Sequence, residues 1–288
     1  MNTEDTSAGS DAGREVTDSP LGRAVSYRDQ YAPELLFPIA RIGKREEIGV
    51  GDGVLPFVGE DLWNAYELSW LNARGKPVVA IGEVRVPATS PRLVESKSLK
   101  LYLNSFNQER FGSREAVEQT IARDLSAAAG AEVGVRIATL DTRPERLIAY
   151  PEGELLDTQD IDIDTYEPVP GLLSAEQGGE EVSEVLFSHL LKSNCLVTGQ
   201  PDWGTVIVAY CGSRIDREGL LRYIVSFRQH NEFHEQCVER IFMDITRQCA
   251  PKRLAVWARY TRRGGLDINP FRASHDGWLP ENLAEVRQ

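Results

Sequence analysis

The 288-residue chain carries 32 Lys and Arg against 44 Asp and Glu, a net charge of −12 with a pI near 5.0. Wrapping a nucleic-acid backbone needs an extended basic footprint, so direct binding to such a polymer is excluded. No apolar run approaches the ~20 residues of a membrane helix, and residues 1–20 are polar and acidic without an apolar signal core, which points to a soluble cytoplasmic protein.

Residues 1–25 combine Ser, Gly, Asp and Glu with almost no large apolar side chain, the composition of a disordered tail. The β-branched stretch 77–86 predicts a strand. Leu99, Tyr102, Leu103 and Phe106 then mark one amphipathic helix, and Val117, Ile121 and Leu125 a second. Another strand is expected at 133–140. An acidic run at 151–179, interrupted by Pro168, Pro170, Gly171, Gly178 and Gly179, reads as a linker.

The pattern then repeats. A shift of 121 positions lays Leu99, Tyr102, Leu103, Ser105 and Phe106 on Leu220, Tyr223, Ile224, Ser226 and Phe227. A shift of 120 lays Glu115, Val117, Ile121, Asp124 and Leu125 on Glu235, Cys237, Ile241, Asp244 and Ile245. Strands are expected at 205–210 and 254–260. Each half therefore reads ββααββ, an α+β fold of two fused units, 26–165 and 166–288, with antiparallel sheets and helices on one face. The bare faces and edges are expected to pack against another copy.

Residues shared by both halves are most simply core, so those present in one half only are the candidates for chemistry. Cys195 and Asp202 have no counterpart in the first half, where the matching connection runs from Leu71 to Pro77. They are read at a helix-to-loop passage, with Gly199 and Pro201 bending the chain so that Asp202 returns to Cys195. A sulfur nucleophile beside a proton donor is the minimum for covalent catalysis; a small buried hydrophobe is the other reading of Cys195. The four cysteines, 195, 211, 237 and 249, show no C-x-x-C pair and read as reduced thiols. His234 and Glu235 stand where a loop enters the second helix. Lys97 and Lys100 flank Ser98 at a helix start, where N–H groups and ammonium groups together suit phosphates. Arg259, Arg262 and Arg263 precede Gly264-Gly265 as a basic cluster, and no G-x-G-x-x-G motif is present.

Glu95-Ser96-Lys97-Ser98-Leu99-Lys100, the Cys195 to Asp202 loop and Asn231-Glu232-Phe233-His234-Glu235-Gln236 make residues from about 27 to 288 closely resemble the long, two-domain form of NADPH-dependent 7-cyano-7-deazaguanine reductase. Tyr66-Glu67-Leu68-Ser69-Trp70 and Tyr260-Thr261-Arg262-Arg263-Gly264-Gly265 extend the match. The resemblance implies fused tunneling-fold (T-fold) units in a homodimer, with any link to tRNA made through a free base in queuosine biosynthesis. It implies Cys195 as nucleophile, Asp202 as proton donor and His234 as relay. Glu235 and Glu95 are implied to hold the 7-deazaguanine, helped by Val94 and Ser96, while Phe233 either stacks on the base or pins the loop. NADPH is implied to meet Ser96, Lys97, Lys100, Arg263 and Gly264, and no metal is implied. Two alternatives stand beside this. One is a zinc cyclohydrolase-like site using His230 and His234, four apart on a helix, with Cys195 and Cys237. The other is a non-catalytic purine-binding module.

Overall fold

The computed structural model describes residues 27–51, 53–142, 148–277 and 280–288. The expected disorder of residues 1–25 lies outside the described residues. A short strand β1 (Pro38–Ala40) and helix α1 (Ile42–Glu47) lead into a long hairpin of β2 (Val58–Leu71) and β3 (Pro77–Pro87). Strand β4 (Arg92–Val94) pairs back onto β1, and α2 (Ser96–Asn104), α3 (Arg114–Ala129) and β5 (Gly134–Thr139) follow. After the short β6 (Glu154–Leu155) come β7 (Glu181–Asn194), β8 (Pro201–Ser213), α4 (Arg217–Ser226), α5 (His234–Cys249), β9 (Arg253–Tyr260) and β10 (Leu266–Ala273). The result is a mixed α/β protein on a largely antiparallel sheet. No described helix is long and apolar enough to cross a membrane.

The expected repeat is visible in detail. β2 and β7 each run 14 residues and carry a register shift at the same place, between Ala65 and Leu68 and between Ser188 and Leu191. Tyr102 donates to Asp124 at 2.7 Å in one half, and Tyr223 to Asp244 at 2.6 Å in the other. The helices form where the apolar stripes required: Leu99, Tyr102 and Phe106 are buried against Trp63 and Val84, and Leu220, Tyr223 and Phe227 against Val206 and Val256. The second half has strands on both sides of its helix pair, β7-β8 and β9-β10. In the first half β5 is the only strand among the described residues that follows the helices and precedes residue 143.

The passage ahead of Cys195 is not helical. It is the end of β7, and the turn to β8 is a β-hairpin in the same position as the 72–76 turn between β2 and β3.

Both halves share one eight-stranded sheet, ordered β5-β3-β2-β10-β9-β8-β7-β6. Its seam is the antiparallel pairing of β10 with β2, from Leu266 opposite Ala65 to Ala273 opposite Val58. The strands approach so closely that a Cβ on Gly59 would lie 2.0 Å from the Phe271 carbonyl oxygen. Beneath the seam Arg272, fully buried, lies 2.8 Å from both Asp61 and Glu239. Arg45 donates to Glu239 at 2.7 and 2.9 Å, and Arg41 to Asp61 at 2.5 Å. This cluster joins α1, β2, α5 and β10. Burial opposes the Glu239 charge, but Arg272, Arg45 and Arg41 outweigh it and hold its pKa down to about 2.

Removing one partner leaves a guanidinium buried without its counter-charge. Glu239→Ala is therefore expected to cost about 3–5 kcal/mol in chemical denaturation at neutral pH. Because the folded pKa is depressed, the Glu239 contribution is complete above the ordinary glutamate range and is lost as pH falls toward 2. A variant as stable as the parent at pH 7 would remove the cluster from its structural role.

Candidate functional site

The β7–β8 turn is closed by its own backbone. Cys195 N–H donates to the Gln200 carbonyl at 2.8 Å, and Gly199 N–H, in the left-handed region at φ 65°, donates to the Cys195 carbonyl at 3.0 Å. Cys195 therefore sits at the first position of the turn and Asp202 at the start of β8, opposite Ser193.

A second connection brings up α5. Asn194 N–H donates to the His230 carbonyl at 2.8 Å, and Glu232 N–H to the Asn194 carbonyl at 3.0 Å, so Phe233, His234 and Glu235 enter the helix beside Cys195. A third comes from the β9–β10 turn. Gly264 and Gly265 have φ of 58° and 79°, as a tight two-residue hairpin requires. Thr261 N–H donates to the Trp203 carbonyl at 2.9 Å, which carries Arg263 over Asp202. The first half supplies the opposite wall through Val94, Glu95 and Ser96, since β4 is pinned to β1 and Glu95 N–H donates to the Phe37 carbonyl at 2.9 Å.

All of these meet around one narrow cavity of about 20 Å³, lined by Val94, Glu95, Ser96, Cys195, Asp202, Phe233, His234, Glu235 and Arg263. Trp63, Leu93 and Ile268 complete the wall. No motif announces these last three. Only the two-residue alternation of β2 and β10 could have placed Trp63 and Ile268, and the pairing that brings the strands together joins distant parts of the chain.

The charges are sorted by their partners. Arg263 donates to Asp202 and to Gln200, and His234 Nε2 lies 3.6 Å from the same Asp202 oxygen. Burial lowers the His234 pKa, with Asp202 opposing and Arg263 assisting, so its ring is neutral at pH 7 and packs edge-on to Tyr260 at 4.1 Å. Glu235 is 2% exposed, and burial, followed by repulsion from Asp61, pushes its pKa up to about 8, against Arg41 and Arg272. Its counterpart Glu115 is exposed and pairs with Arg114. The carboxylate at this helix start is thus a surface group in one half and part of the cavity wall in the other.

Glu95 faces the cavity too, but its carboxylate caps α2, accepting from Lys97 N–H at 2.6 Å and Ser98 N–H at 2.8 Å. This corrects the reading of α2 as a phosphate cradle: the two N–H groups are occupied, and a carboxylate sits where a phosphate would bind. Any phosphate must be met by side chains. Lys100 lies at 3.2 Å from Glu67 and against Gly264, where an added Cβ would come to 3.0 Å from Nζ. Arg262 stacks over Tyr66 at 4.5 Å. Arg259 does not join the cluster; it is 6% exposed and bound to Gln288 and Asn282. Lys97, Lys100, Arg262 and Arg263 thus remain as the cationic set, which fits a phosphate-bearing dinucleotide.

Phe233 packs with Phe37, Ile39 and Leu93 and also lines the cavity. His230 precedes α5 rather than sharing its first turn with His234; it binds Glu232 at 3.0 Å. Among the described residues no group of three or more His, Cys, Asp or Glu is arranged to hold a metal ion.

The raised Glu235 pKa has a sign that denaturation reads. The folded state holds this proton more tightly than the unfolded chain, so its contribution is complete below the unfolded glutamate pKa and is lost as pH rises to about 8. Between pH 4.5 and 8 the parent is expected to lose stability relative to Glu235→Gln by on the order of 4 kcal/mol. Parallel pH profiles for the two proteins would show Glu235 to titrate normally.

Residues 27–137 match the family described as "Nitrile reductase, 7-cyano-7-deazaguanine-reductase N-term", and residues 201–277 match "QueF-like protein". The NADPH-dependent 7-cyano-7-deazaguanine reductase of Aromatoleum aromaticum is 67% identical over 288 residues, 100% of both chains. That of Azoarcus sp. (strain BH72) is 70% identical over 270 residues, 94% of this chain and 95% of the relative. That of Dechloromonas aromatica is 64% identical over 270 residues with the same coverage.

Proposed function

The chain belongs to the NADPH-dependent 7-cyano-7-deazaguanine reductase family, and we propose that it reduces the nitrile of 7-cyano-7-deazaguanine to the aminomethyl group through a covalent thioimidate on Cys195. The observation that carries this is the convergence of Cys195, Asp202, His234 and Glu235 on one cavity. A bare nitrile is a poor hydride acceptor. Attack by the Cys195 sulfur forms a C–S bond and breaks the S–H bond while the C≡N π pair moves to nitrogen, and the thiol proton reaches that nitrogen through Asp202. Two NADPH molecules, bound in turn, would supply one hydride each to the overall reduction. Loss of the Cys195 thiol between the two reductions leaves an imine on the substrate.

Glu235 suits the base because its buried carboxylate has no side-chain partner among the described residues and a guanine edge offers two adjacent donors. Glu95 contributes wall and helix cap, with Val94 and Ser96 beside it. Phe233 serves the base from a fixed position in its apolar cluster. His234, neutral and next to Asp202, is placed to relay the proton. Ser96, Lys97, Lys100, Arg263 and Gly264 form the cofactor side. A bicyclic base needs more than 20 Å³, so binding parts the walls.

The repeated element order supports two fused T-fold units divided near residue 165, preceded by a tail. Trp257, Phe271 and Val58 form an apolar cluster on the sheet face away from the helices and support pairing with a second copy as a homodimer. Four unpaired cysteines suit the reducing cytoplasm.

Mixing the protein with 7-cyano-7-deazaguanine and no cofactor is expected to create a near-UV thioimidate band. Cys195→Ala should lose both band and turnover, whereas Cys211→Ala should keep them; turnover by the Cys195 variant would end the covalent reading. Asp202→Asn is expected to slow reduction by about 10²-fold or more. For the cofactor side, Lys97→Ala should raise the NADPH KM by roughly tenfold while the adduct still forms, since losing a phosphate contact leaves the base site intact. An unchanged KM would take Lys97 out of the cofactor site.

A further inference from the structure

Trp63 lies on β2, 3% exposed, in the wall of the cavity that holds Cys195 and Glu235. Its ring packs with Leu36, Ala65 and Val94 in the first-half core. Its indole Nε1 is the one buried side-chain nitrogen among the described residues that has no hydrogen-bond partner. A buried donor left unpaired is costly and uncommon. Phenylalanine would fill an apolar core position without that cost, so the N–H calls for a reason beyond packing.

The chemistry of the proposed substrate supplies one, and the inference rests on that reading of the site. The edge of a guanine-type base carries two adjacent donors, the ring N1–H and the amino group, and then a carbonyl acceptor. Glu235, protonated at neutral pH by its burial, becomes a pure acceptor once the two donors of the base favour its ionised form, and then matches them. The carbonyl next to them then needs a donor from the same wall. Arg263 is engaged by Asp202 and Gln200, and the Lys97 and Ser98 N–H groups are taken by Glu95. Trp63, by contrast, offers an unused N–H. It stands two residues from Asp61, the acidic group whose field reaches Glu235, and on the same face of β2.

We propose that the indole N–H of Trp63 donates to the ring carbonyl of the bound base and so determines specificity for an oxo-purine edge. A site built to hydrogen-bond a substrate group discriminates strongly against analogues that cannot complete the bond.

The test compares the cofactor-free adduct band for 7-cyano-7-deazaguanine with that of its 6-thio analogue, which keeps the N1–H but whose sulfur accepts weakly. Trp63→Phe retains the ring and removes the donor. It is expected to weaken adduct formation with the oxo ligand by about tenfold, and with the thio ligand by less than about twofold. Turnover of the oxo ligand should show a raised KM with kcat largely kept. Equal losses for both ligands, or none, overturn the proposal and leave the covalent reading standing, because the adduct still forms. A wild-type protein that forms no adduct overturns that reading and this one with it. Should the variant not fold, the wild type labelled with ¹⁵N decides. One of its five tryptophan indole signals should move downfield with the oxo ligand and not with the thio ligand; five signals that respond alike to both ligands overturn the assignment.

Discussion

Two carboxylates and three guanidinium groups, none more than 5% exposed, meet under the point where the halves of the sheet join. Burying such a group is expensive, and an apolar cluster of the same volume would often be as stable or more so. What the ions add is position. Glu239 accepts only if α1 and β10 arrive together, and Asp61 only if β2 lies beside β10 in one register. Asp61 is two residues from Trp63, and Glu239 is one helical turn from Glu235, so both walls of the cavity are set by the same few bonds. Burial and then the Asp61 charge of the same cluster raise the Glu235 pKa, and Arg41 and Arg272 oppose them.

The duplicated halves show how identical local geometry serves different ends. Glu95 and Asp216 both cap the first helix of their unit, yet only Glu95 borders the cavity. The hairpin turn at 72–76 is an exposed, polar connection, whereas its partner at 195–200 carries a buried thiol. Glu115 is solvated and Glu235 enclosed. Each unit contributes a part that its twin lacks, and the parts face each other because one sheet runs through both.

This division bears on how far the sequence could be read. The helix stripes at Leu99 and Leu220 were legible because each buries one face against its own unit. Cys195 and Asp202 were legible through their absence from the first half, and His234 and Glu235 through resemblance. The β7 segment misled for a physical reason. Its buried positions run 186, 187, 188, 191 and 193, and the register shift after Ser188 inserts a three-residue step that imitates helical spacing. Arg259 was grouped with Arg262 and Arg263 because they are adjacent in sequence, but strand geometry sends Arg259 to Gln288 and Asn282 instead. That Glu95 would occupy the N–H groups of α2 could not be told from composition, since the same residue there could as well have pointed outward. Trp63 escaped notice because only the distant pairing of β2 with β10 brings it to the site.

That pairing also sets a schedule for the ribosome. Residues 58–65 find their partners at 266–273, roughly 200 residues later in synthesis. At about 5–20 residues per second the outer edge of β2 waits on the order of 10–40 s for β10 to emerge. Throughout that interval β3 covers one side of the strand, while the other offers unpaired backbone to any extended segment nearby. Asp61 waits with it, Arg41 already made but Arg272 still to come. The nascent chain therefore carries a sticky, half-paired border for most of its birth, and a cell short of chaperones should lose this protein to aggregation before it loses proteins whose strands pair with near neighbours.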